Sequence, residues 1–234
     1  GAIMPFLGVV KNRVGALLLV GLTSVLAACS TTKTTEPKVL LVPKNFTLNL
    51  RDNTPGSRSE FGKIHLEYVQ LTGWHNLAAE EKINQDIRHI VGMENPYDGS
   101  EDLTYTVKKA ELTDKALHFM VQGTYYKHGA ANAHERISST YFDVNSGERI
   151  RLADVLKPGF KEVLNAQVKI WLDQQNYTNL FEGIKDEQCF YHDAKTLYLC
   201  FSEYEVAPGA AGIVNVPLSK AALDGLIKPN GLLD

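Results

Sequence analysis

The chain is short of the features by which most enzymes are recognised. It holds three cysteines and two tryptophans in 234 residues. No Gly-x-Ser-x-Gly segment occurs, which excludes the usual nucleophile elbow. There is no His-Glu-x-x-His pair either, so no helix offers two metal ligands one turn apart. Net charge is -3 at pH 7, and no basic surplus is left to neutralise phosphates, which excludes a nucleic-acid partner. Internal repeats and low-complexity tracts are lacking. With 44% hydrophobic residues, the chain does have enough apolar material for a sizeable core.

The three cysteines divide into two kinds. Cys29 ends the run Leu26-Ala27-Ala28-Cys29, behind a basic flank of Lys11 and Arg13 and an apolar stretch from Val14 to Leu26. That stretch is shorter than the roughly 20 residues of a membrane-spanning helix. The pattern predicts a lipoprotein signal peptide over 1–28, with Cys29 diacylated at the mature N-terminus. Ser30 rather than Asp follows, which implies outer-membrane delivery with the protein facing the periplasm and held to the membrane by its lipid. Residues 29–44 are rich in Thr, Lys and Pro and are expected to form a flexible tether; the Val39-Leu40-Leu41-Val42 run is the alternative, a first strand.

Cys189 and Cys200 sit at equal distances from Asp193-Ala194-Lys195-Thr196. If that is a hairpin turn, the two cysteines oppose each other across it and can form a disulfide in an oxidising compartment. Two reduced, buried thiols are the alternative.

Period-two alternation places strands around Phe46–Leu50, Ile64–Tyr68, Leu103–Val107, Leu117–Tyr126 and Ile137–Val144. In the fourth of these His118 alternates with apolar neighbours and is expected on the solvent side. Asn76 is placed to cap a helix with Ala79, Ile83, Ile87 and Ile90 on one face up to Gly92. Phe160, Leu164, Val168 and Trp171 mark a second amphipathic helix, suited to covering the sheet before it. Pro217 and Ser219 start a short last one through Leu226. The expected fold is α+β, with antiparallel sheets covered by two main helices and a short C-terminal helix, in two subdomains over 45–116 and 117–234.

The second half also carries a resemblance. Its strand with a Tyr-rich end is followed by a Gly-Ala loop, then Phe142-Asp143-Val144-Asn145-Ser146-Gly147-Glu148 and the Leu152-Ala153-Asp154-Val155-Leu156 run. Together with Tyr204-Glu205-Val206-Ala207-Pro208-Gly209-Ala210-Ala211-Gly212, this resembles the extracytoplasmic domain shared by the RsiV-like anti-sigma factors and the PdaC-like peptidoglycan deacetylases. The resemblance covers roughly Phe61 to Ile227. Where that family has Gly-Gly-Ala-His in the loop, this chain reads His128-Gly129-Ala130-Ala131, so the family's loop histidine is missing unless His134 replaces it.

What the resemblance implies is a cell-envelope binding domain that recognises or inhibits lysozyme or another muramidase with its loops. The alternative is peptidoglycan binding, or a part in glycan deacetylation. No catalytic residue, metal or cofactor is expected. His128 and His134 are separated by a loop-like spacer that fixes no ligand geometry, and Glu203 and Glu205 read as a solvated face. Two loops are the binding candidates. His128, Gly129, Ala130, Asn132 and His134 lie in the first, where small residues allow close backbone approach. Tyr204, Pro208 and Gly212 lie in the second.

Overall fold

The computed structural model describes residues 38–234. The signal peptide, Cys29 and the tether up to residue 37 lie outside the described residues. Among the described residues nine strands form two sheets. The larger runs β1 (Leu40–Arg51), β2 (Phe61–Thr72), β3 (Glu101–Leu112), β4 (Ala116–Lys127), β5 (His134–Asp143) and β6 (Arg149–Ile150), in that spatial order. The smaller runs β7 (Phe190–His192), β8 (Thr196–Phe201) and β9 (Val214–Ser219). Three α-helices join them: α1 (Leu77–Val91), α2 (Leu152–Val155) and α3 (Phe160–Gln174).

The tether therefore ends sooner than its composition suggests. Leu40 already pairs with Thr72, and the pairing continues to Arg51 opposite Phe61. Alternating Phe46, Leu48 and Leu50 supply the packing, and Pro43 is tolerated because β1 is an edge strand.

One pairing departs from an all-antiparallel sheet. β2 and β3 run parallel, Ile64 beside Leu103, because α1 carries the chain back between them as a crossover. The helix itself follows its sequence signals. The Asn76 side chain accepts from the Ala79 N–H at 3.1 Å, and Gly92 ends it in the left-handed conformation. Ile83, Ile87 and Val91 join Leu66, Leu71, Phe119 and Phe142 in one core. Asn84, buried inside that contact, both donates to the Leu71 carbonyl and accepts from the Leu71 N–H at 2.8 Å, so no polar group there is stranded.

The β4–β5 hairpin has two buried faces. Leu117, Phe119 and Val121 point into the first core, while Ala116 and Tyr141 belong to a second with β7–β9 and the Leu164, Val168 and Leu172 stripe of α3. Hence His118, expected in solvent, is buried at 5% exposure. The α3 stripe shares this second core with both the smaller sheet and the hairpin residues Ala116 and Tyr141. A boundary at residue 116 is not seen either: β3 and β4 pair directly across it, Leu112 with Leu117.

The Cys189–Cys200 bridge is present, with Cα atoms 5.1 Å apart, and Tyr191 opposes Tyr198 just inside it. Pro217 and Ser219 lie in β9 instead of starting a helix. The C-terminal helix is a 3-10 segment, Ala221–Leu226.

Candidate binding end of the sheet

Three connections meet at one end of the larger sheet: the β1–β2 loop, the β4–β5 loop and the segment after β8. Gly129 to Glu135 are exposed without interruption, so the β4–β5 loop projects from the domain. Within it Gly129 takes φ +90°, with open space around it.

His128, at the base, is turned inward, and its side chain is 4% exposed. Its Nδ1 lies 2.6 Å from Asp52 Oδ2, and its Nε2 lies 3.3 Å from Asp102 Oδ1 without the alignment of a hydrogen bond. Its backbone N–H donates to the Ser100 carbonyl at 2.9 Å. Asp52 also accepts from the Ser57 hydroxyl at 2.5 Å and from the Thr54 N–H at 2.8 Å. The histidine thus ties the β4–β5 loop to the β1–β2 loop. The backbones here approach closely: a Cβ on Gly99, at φ +86°, would collide with the Arg51 carbonyl, so only glycine fits.

The electrostatics follow from these partners. Hydrogen bonds from Ser57, then from His128, hold the Asp52 carboxyl well below the usual carboxylate range. The bond to Asp52 raises the His128 imidazole above its ordinary 6.5. A raised histidine contributes stability that is complete below pH 6.5 and lost as pH climbs through the raised value. A depressed carboxylate contributes stability that is present above 3.8 and lost as pH falls toward its lowered value. The clamp is therefore tightest between those two limits. In an NMR titration the His128 ring is expected to change charge above pH 6.5, and Asp52→Asn to bring that midpoint down; an unshifted midpoint in the parent protein would show that the pair is not formed.

The second candidate loop lies against the far end of the first. The His134 and Tyr204 rings are 5.0 Å apart. Beside them the Glu203 N–H donates to the Glu135 carbonyl at 3.0 Å, and Glu135 returns a bond from its N–H to Glu203 Oε2 at 2.7 Å. Tyr204 holds φ +68°, and a Cβ on Gly209 would strike its ring. Pro208 is exposed at the start of the 3-10 turn Gly209–Ala211. Gly212 faces Glu135, whose Oε2 would be 2.9 Å from an added Cβ.

The structure accordingly splits the candidates. Gly129, Ala130, Asn132, His134 and Tyr204 form or border the outward surface, His128 is the support beneath it, and Pro208 and Gly212 shape the neighbouring turn. A cleft of 520 Å³ opens on the His128 side, lined by Gly56, Arg58, Tyr126 and Ala130 among others. Asp52, Ser57 and Asp102 are the residues that sequence reasoning does not find. Asp52 carries a local sign, since a Thr two residues on and a Ser five residues on suit an Asp-anchored turn. Its pairing with a histidine 76 residues away carries none. Trp74 is structural: its indole N–H donates to the Val144 carbonyl at 2.7 Å.

Comparison with known proteins places this architecture. Residues 153–221 match the model of a family described as "Protein of unknown function (DUF3298)", a stretch that spans α3 and the three-stranded sheet. The fold is similar to the crystal structure of a DUF3298 family member from Bacteroides fragilis, with 11% identity, 82% of this chain and 95% of that one covered, and a TM-score of 0.57. It is also similar to that of a DUF3298 family protein from Pseudomonas aeruginosa, with 16% identity, 82% and 96% coverage, and a TM-score of 0.52. No curated protein matches the chain.

Proposed function

We propose that the protein is a non-enzymatic binding domain of the cell envelope, anchored to the outer membrane by a lipid on Cys29, which recognises a muramidase of the lysozyme class through its β4–β5 loop. The observation that supports this reading best is the projection of Gly129 to Glu135 from a base held by His128, Asp52 and Ser100. A loop of small side chains on a fixed base can enter an enzyme cleft with little ordering cost, since it is already close to its bound shape. Asn132 at the tip supplies donors and an acceptor. Beside it Glu135 and Glu203 join the loop to the segment after β8. The RsiV-like and PdaC-like resemblance supplies the class of partner.

The tip substitution Ala131→Arg, placed among exposed residues, is expected to weaken muramidase binding by about a hundredfold or more through steric exclusion from the cleft. His128→Ala is expected to act more mildly, by freeing the loop. Titration calorimetry against a panel of lysozymes reads both, and tight binding that survives Ala131→Arg would move the interface elsewhere. The second reading, retention on the cell wall itself, rests on the same resemblance and on the polar cleft beside His128.

A further inference from the structure

The outer edge of β5 is covered at both ends and open in the middle. In an antiparallel strand the N–H and C=O of every second residue point to the same side. Two bonds show which side the odd positions of β5 take: the Asp143 N–H donates to the Glu148 carbonyl at 2.8 Å, and the Glu135 carbonyl accepts from the Glu203 N–H at 3.0 Å. Both point away from β4. Ile137 continues the series, its N–H donating to Ser202 Oγ at 3.1 Å, and Tyr141 pairs with Ile150 of β6. Between them lies Ser139, whose backbone N–H and C=O face the same edge and have no partner among the described residues.

The gap has a local cause. Extending the pairing of Tyr141 with Ile150 by two residues would set Leu152 opposite Ser139, but Leu152 has already entered α2. A cleft of 220 Å³ opens where the strand stops, lined by Ser138, Ser139, Ile150, Gln188 and Phe190 among others. Ser139 is only 9% exposed, so its unpaired groups are nearly withdrawn from bulk water, a condition that folded chains avoid. The charged side chains around the cleft are matched already: Arg149 with Asp86, Arg151 with Glu187, Asp186 with Lys161 and Lys185 with Glu205. No spare charge is left to select an ion, and the backbone pair of Ser139 is the recognition element that remains.

We propose that this cleft is a second binding site, taken by a short extended peptide that adds to the open edge of β5. It is independent of the muramidase reading, because it does not use the β4–β5 loop. One ligand residue lies antiparallel to Ser139, its N–H donating to the Ser139 carbonyl and its carbonyl accepting from the Ser139 N–H. Strand addition of this kind draws its affinity from main-chain bonds. The length is limited by the filled positions on either side. Ile137 and Tyr141 stand roughly 13 Å apart along an extended strand, which leaves room for about three residues. A volume of 220 Å³ restricts their side chains to small ones. Closure of the edge by Ser202–Glu203 and by β6 also protects it from the indiscriminate pairing that a long open edge invites.

The test is NMR titration of the purified protein with acetyl-trialanine amide and, separately, with the same peptide N-methylated at all three alanines. The first is expected to bind with a dissociation constant of about 1 mM or tighter, and the second at least about tenfold more weakly, since it has lost the donors that could meet the Ser139 carbonyl. Amide exchange locates the site. The Ser139 N–H is expected to exchange faster than that of Thr140, which faces β4, and to slow at least about tenfold when the peptide is bound. Ser139→Pro removes the edge donor without touching the β4 ladder and is expected to abolish peptide binding while circular dichroism is unchanged. If Ser139→Pro does not fold, the methylated peptide and the exchange rates decide. No binding at about 10 mM, equal affinity for the two peptides, or a Ser139 N–H already protected in the free protein would overturn the assignment.

Discussion

Tyr141→Ala is expected to lower the free energy of unfolding by about 3–5 kcal/mol, the range for removing a large buried aromatic. The ring is 4% exposed and is shared between the two sheets. It stacks on His118 from its own sheet and, at 5.3 Å, on Phe190 from the other. Its hydroxyl accepts the His192 N–H at 3.1 Å. Truncation would therefore leave a cavity at the seam and an unpaired backbone donor. Tyr141→Phe separates the two effects, because it keeps the ring and removes only the acceptor, for about 1–3 kcal/mol. Urea denaturation measures both. A loss below about 1 kcal/mol for the alanine variant, well under the range for such truncations, would show that the sheets are not held through this ring.

The second large effect is at the disulfide. Cys189 and Cys200 are separated by 11 residues, and the chain-entropy model gives about 3 kcal/mol for a closed loop of that length. Cys189→Ser with Cys200→Ser is expected to lower stability by that amount. Dithiothreitol is expected to lower the parent to the level of the double variant and to leave the variant unmoved. The β7–β8 hairpin is short, and β7 contributes only Phe190–His192; without the bridge it relies on Phe190, Leu197 and Leu199 in the second core. Equal stability of parent and variant in oxidising buffer would mean that the bridge is not formed in solution.

How far these features could be read from sequence depends on the range of the interaction. The α1 boundaries were legible because Asn76 and Gly92 act within a single turn of the chain. The Cys189–Cys200 pairing was legible because its turn lies between the two residues. His118 was misread because a period-two pattern fixes which residues share a face, but not whether the opposite face is covered. The smaller sheet covers it, and β7–β9 lie more than 70 residues further on. Pro217 was read as a helix start since proline suits a first turn; an edge strand tolerates it equally well. The parallel β2–β3 pairing follows from the crossover helix, which alternation within each strand cannot reveal. At the binding end, the exposed tip could be seen in its small residues, whereas the inward turn of His128 depended on Asp52 from the β1–β2 loop and Asp102 from β3, both distant in sequence.

The domain's proposed role is decided most directly by muramidase activity on purified cell walls, measured with increasing amounts of the protein and, in parallel, of the Ala131→Arg variant. Binding through the β4–β5 loop predicts that the parent lowers hydrolysis in proportion to the enzyme it occupies and that the variant does not. Undiminished hydrolysis, with the protein sedimenting with the walls in the absence of any enzyme, would contradict muramidase recognition and assign the domain to the wall.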